Sequence, residues 1–109
     1  MRTLDFVVDE QVLTKDGSCD FSNIVSGTKG YLEARFKFSR LWDGFGKVAV
    51  FVNLLEEYPA VIKNGRCTIP AEALTGNKFA VYVIGKRGEN KLTSTSVEVQ
   101  QERSNTCLK

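Results

Sequence analysis

The chain has no histidine among its 109 residues. The usual general base near neutral pH is therefore missing, and Ser-His-Asp or Cys-His arrangements are impossible. A metal site is disfavoured for a related reason. The three cysteines, Cys19, Cys67 and Cys107, are widely spaced and form no C-x-x-C pair. An odd number at such spacing points to free thiols in a reducing compartment. Net charge is small, +2 from 15 basic and 13 acidic residues, and the lysines and arginines are not gathered in one run. That excludes the electrostatic footprint of a dedicated nucleic-acid binder. No apolar run approaches the ~18 residues of a membrane span. The first residues carry Asp5 and no continuous apolar run, so no signal peptide is expected. The expectation is synthesis in a cytoplasm without a leader. There is no linker, repeat or low-complexity segment.

What is present is strand after strand. In residues 31–38, Leu32, Ala34, Phe36 and Phe38 share one face, and Tyr31, Glu33, Arg35 and Lys37 the other. That period of two marks a half-buried strand. Near the start, Leu4, Phe6 and Val8 alternate with Thr3, Asp5 and Asp9, with Val7 as the exception. Residues 48–52 (VAVFV) and 79–84 (FAVYVI) are apolar on both faces, short and rich in β-branched and aromatic side chains, and read as central strands. A last strand is expected over 92–99, with Thr93, Thr95, Val97 and Val99 on one face.

Turn chemistry agrees. Asn64-Gly65 is a two-residue hairpin signal, since both residues tolerate positive φ. Asp16-Gly17 marks another tight turn, and residues 86–90 a polar loop between the last two strands. Pro70 can open a single helical turn over 70–74 that Gly76 can end. The reading is all-β: an immunoglobulin-like, two-sheet antiparallel sandwich with one short helical turn, a small β-barrel being the alternative. Residues 1–100 form one domain, and 101–109 a polar tail expected to fray. The edges are expected near the N-terminal strand and around residues 60–69.

The remaining chemical candidates are weak. Glu56 and Glu57 are adjacent, so on a strand they diverge. Residues 44–49 fit the letters G-x-G-x-x-A, yet strand-like residues follow where a dinucleotide site needs a helix. Asp9, Glu10, Asp16 and Asp20 lack an EF-hand pattern. Tyr31, Trp42, Tyr58 and Tyr82 could stack on a sugar. Trp42 reads rather as a core plug, and Tyr31 as the aromatic best placed for surface contact. No catalytic residue, cofactor or metal is expected.

One stretch carries a family likeness. Residues 36–51 (FKFSRLWDGFGKVAVF) resemble small domains of phages and prophages of Firmicutes. Those domains have an F-x-F, a W-[DE]-G two or three residues later, and then K-x-x-x-F. The likeness extends to the I-P-x-E-x-L step at 69–74, to 79–85 and to 91–95, covering roughly residues 30–100. The domain is similar to the N-terminal module of phage baseplate upper proteins. The resemblance implies a β-sandwich used in the virion for attachment and assembly, in the tail, baseplate or head. It also implies contact with other phage structural proteins or further copies of itself, with no nucleic acid and no membrane. Phe36, Phe38, Trp42, Asp43, Gly44, Lys47, Phe51 and Pro70 then read as fold determinants, not ligand contacts. A carbohydrate-binding module and a small phage-encoded regulatory protein are the alternatives.

Overall fold

The computed structural model describes residues 2–102. Its strands are β1 (Arg2–Asp9), β2 (Val12–Lys15), β3 (Leu32–Phe38), β4 (Gly46–Asn53), β5 (Glu56–Ile62), β6 (Arg66–Thr68), β7 (Lys78–Arg87), β8 (Asn90–Thr93) and β9 (Val97–Gln100). They make the two-sheet sandwich that the alternation implied. One sheet runs β2-β1-β3-β6, and the other β5-β4-β7, with β8 and β9 both along the far side of β7. The doubly apolar runs are indeed central, as β4 and β7.

The alternating apolar residues meet between the sheets. Leu4, Phe6 and Val8 of β1 and Ala34 and Phe36 of β3 are buried on one side, as are Ala49, Phe51, Phe79, Val81 and Val83 on the other. Removing each such large side chain from water contributes about 1.5–3 kcal/mol. Rings form a chain through this layer: Phe6 on Phe36 at 5.2 Å, Phe36 to Phe38 at 5.9 Å, Phe38 to Trp42 at 5.4 Å.

Five local readings change. First, β1 and β3 pair in parallel, Leu4 opposite Ala34 and Phe6 opposite Phe36, while every other pairing between strands is antiparallel. β2 occupies the outer side of β1, and the long segment 16–31 returns the chain to the starting end of the sheet. Second, a turn at Glu10-Gln11, with Glu10 at φ 56°, joins β1 to β2 in addition to the expected tight turn at Asp16-Gly17, which follows β2 and closes with Cys19 N–H donating to Asp16 O at 3.0 Å. Third, residues 92–99 are two strands. Ser94 donates its N–H to Val83 O and accepts Val83 N–H on Oγ, both at 2.9 Å, which interrupts the ladder. The break shifts the phase, so Leu92, Val97 and Val99 turn inward and Thr93 outward. Fourth, besides the expected turn at Ala71–Ala73, a 3-10 turn spans Arg40–Trp42. Fifth, pairing continues beyond residue 100: Gln101 is buried, and Glu102 bridges Val25 in parallel. The expected frayed tail from residue 103, with Cys107, lies outside the described residues.

The Asn64-Gly65 turn is as expected, both residues at positive φ (55° and 78°), and it carries the chain from β5 in one sheet to β6 in the other. The opposite margin is stitched as well. Thr95 N–H donates to Gln11 O (2.8 Å), and Leu13 N–H to Thr95 Oγ1 (3.1 Å). Ser26 N–H donates to Glu102 O (2.8 Å). The N-terminal strand β1 is therefore interior, not an edge, and β2 and β9 have partners beyond their own sheets.

Candidate interaction surface

The motif residues sit where a structural role requires them. Phe36, Trp42 and Phe51 are buried, and Phe38 packs against the core. Trp42 is wholly enclosed and donates Nε1–H to Glu10 O at 2.6 Å. Asp43 ends the 3-10 turn, and Gly44 follows at φ 80°. Lys47 lies over the Phe38 ring, its Nζ 5.1 Å from the centroid, and donates to Phe45 O. Pro70 leads into the second 3-10 turn. Phe38, Trp42 and Lys47 meet at one corner of the core, while Phe51 and Pro70 lie towards the other end of β4, where Asn53 bonds Ala73 O.

The aromatics named for sugar stacking do not converge. Trp42 is inside, Tyr58 faces the core, and Tyr82 lies on the outer side of the second sheet. Tyr31 is 53% exposed but precedes β3 in the first sheet. Among the described residues, no three His, Cys, Asp or Glu side chains cluster as a metal site. Asp16 and Asp20 are occupied in their own turns. Each accepts the backbone N–H and hydroxyl of the serine two residues on, and these bonds lower both carboxyl pKa values.

The outer faces of the two sheets differ in kind. The first is polar and ion-paired. Arg35 binds Asp5 through two bonds of 2.9 and 3.1 Å, which raise its already high pKa, and Arg66 reaches Glu33 at 3.7 Å.

The second is apolar through its middle. Strand register places Pro59, Val50 and Tyr82 in one row across it. Val61, Val48, Ile84 and Thr93 make the next. Val61 is 62% exposed, and Val50, between its register partners Pro59 and Tyr82, is 5% exposed. Rows of charge close the two ends. Glu57, Val52, Ala80 and Glu98 lie at one. Gly46, Lys86 and Lys91 lie at the other. Ile62 opposes Lys47, so exposed Lys63, two residues beyond Val61, continues the outward side of β5 into this basic row. Tyr82 donates its hydroxyl to Glu57 at 3.2 Å, and its pKa is raised by burial and then by that carboxylate.

The sequence shows the apolar positions of β4 and β7, but not that their outward halves are left open. Nor does it mark Leu54 and Leu55, which form the β4–β5 tip and are 90% and 96% exposed. A cleft of about 300 Å³ lies beside that tip, between Val52–Leu54 and residues 75–80. No protein-family model matches this chain, and neither any curated protein nor any solved structure is found to be similar to it.

Proposed function

We propose that this chain is a non-enzymatic assembly domain of a bacteriophage particle, working through protein–protein contacts. The observation that carries the contact reading is the open apolar face of the second sheet. A face rimmed by charge and apolar at its centre has the anatomy of an interface. The first sheet is the internal comparison, because its ion-paired outer face is what a solvated sheet looks like. The placement in a phage particle draws on the resemblance of residues 36–51.

The edges are a poorer route to partners. β5, the edge strand of the second sheet, carries Pro59, which has no N–H to donate, and β2 is already bonded to Thr95 through Leu13 N–H. The test is mass spectrometry of purified particles from cells making the wild-type chain or Val61→Glu. The wild-type chain is expected in the particle, and the variant, folded by circular dichroism, depleted. Absence of the wild-type chain from particles, or equal incorporation of both, overturns the proposal.

A further inference from the structure

We infer that the occupant of the open face is a second copy of this chain, docked face to face about a twofold axis. The inference rests on the contact reading above and goes further by naming the partner and the register. Its basis is the order of the four rows: acidic, apolar, apolar, basic. Ala49 pairs with Ala60 on one side and Val83 on the other, and this line lies midway between the two apolar rows. Let a twofold axis lie between two such faces, at that level and perpendicular to the strands. Each strand then runs antiparallel over its own copy. The acidic row of one chain falls on the basic row of the other, and the apolar rows fall on apolar rows. An isologous contact requires this self-complementarity.

The alternative axis, parallel to the strands, sets acid on acid and base on base. Charge therefore selects one of the two face-to-face arrangements. Under the selected axis Glu57 faces the other copy's Lys63, and Glu98 faces the other copy's Lys91. Glu98 is already paired with Lys78 in its own chain at 3.3 Å, so the Glu57–Lys63 pair is the cleaner probe.

Size fits a reversible dimer. Four strands and four rows cover roughly 500 Å² of sheet from strand spacing and rise. Two such faces total about 1,000 Å², near the lower end of specific interfaces. Aligned sheets pack through their outward side chains at about 10 Å, and Val48, Val61 and Ile84 supply that layer. Edge-to-edge pairing through β5 is opposed by Pro59.

The test is analytical ultracentrifugation of the full chain from low micromolar to millimolar concentration, with a thiol reductant present to prevent disulfide-linked dimers. A monomer–dimer equilibrium is expected, weakening as salt rises. Glu57→Lys alone and Lys63→Glu alone should each weaken it by about tenfold or more. The double variant Glu57→Lys/Lys63→Glu should restore it, because the swapped charges meet again across the axis. A wild-type chain that stays monomeric throughout, or single reversals without effect, or a double variant no better than the singles, overturns the inference. The particle assay separates the two claims. A monomeric chain whose Val61→Glu variant is still lost from particles keeps the contact reading and assigns the face to a different protein.

Discussion

The six-membered ring of Trp42 rests on Gly85: a Cβ at position 85 would come within 2.7 Å of Trp42 Cζ3 and 2.9 Å of Cε3. Glycine is needed there for space, since its φ lies outside the left-handed region. The contact joins the 3-10 turn after β3 to the inward face of β7, while the indole N–H holds the β1–β2 turn through Glu10 O.

Gly85→Ala should destabilise the fold by about 1–3 kcal/mol through overpacking. Trp42→Ala should cost about 3–5 kcal/mol through the cavity left behind. In a Trp42→Phe background the smaller ring makes room, so Gly85→Ala should cost less than it does in the wild type. Urea unfolding of the four proteins measures this cycle. Additive effects would mean that the two residues do not share the contact.

That corner also shows what could be read in advance and what could not. Trp42 stands just past an aromatic strand and before a glycine turn, and local order alone marks it as core. Gly85 carries no such mark, because the ring that needs the space comes from 43 positions away. The same distinction covers the other changes. Asn64-Gly65 is legible, since its φ preference is its own. The turn at Glu10-Gln11 is not, because neither glutamate nor glutamine is a turn signal. The division of residues 92–99 comes from Ser94 and Thr95 bonding to β7 and to the β1–β2 hairpin. As for the candidate surface, an apolar run on both faces reads alike whether its outer side is covered or open. Only the pairing with Pro59 and Val61 of β5 distinguishes the two.

Cys19 and Cys67 are free thiols, but they are not equivalent. Burial first, then the charge of Glu33, pushes the Cys67 thiol from 9.0 up to about 12. A thiol reagent at pH 8 should therefore leave Cys67 unmodified in the folded protein and label it after unfolding. The sign of the pH effect follows. The folded state holds this proton more tightly than the unfolded state, so its contribution is intact below about pH 9 and is lost as pH rises towards 12. The slope for one proton is up to about 1.4 kcal/mol per pH unit. Chemical denaturation of Cys67→Ala across this window should give a flatter profile than the wild type. Parallel profiles would show that Cys67 is not the group responsible.

Leu54 adopts φ 58° at a turn where its side chain is almost wholly in solvent. The left-handed conformation costs a non-glycine residue about 1–2 kcal/mol, and no burial offsets it here. Leu54→Gly should stabilise the domain by about 0.5–1 kcal/mol, once the extra freedom of glycine in the unfolded chain is allowed for. Differential scanning calorimetry should register a higher Tm. A lower Tm would show that the exposed leucine makes a stabilising contact at this tip.

Asn53 closes β4 with a buried side chain whose Nδ2 donates to Ala73 O at 2.8 Å and to Thr75 O at 2.7 Å. It thereby fixes the segment that forms the far wall of the cleft beside Leu54. All three of its polar contacts, the third a long one to Lys78 O at 3.5 Å, run from donor to carbonyl, so the amide nitrogen is what the site needs. Asn53→Ala should cost about 2–4 kcal/mol by leaving these carbonyls without that donor. It should also speed hydrogen exchange in residues 74–78. Asn53→Asp is the sharper test. An ionised carboxylate can only accept, and here it would face carbonyl oxygens in a low-dielectric setting. Its folded-state pKa should therefore rise, and the penalty should ease in acid as the group gains a proton and can donate once more. Stability of Asn53→Asp relative to wild type, followed by urea unfolding from pH 7 to pH 4, should improve as pH falls. A penalty that does not change with pH would mean that Asn53 acts through shape alone.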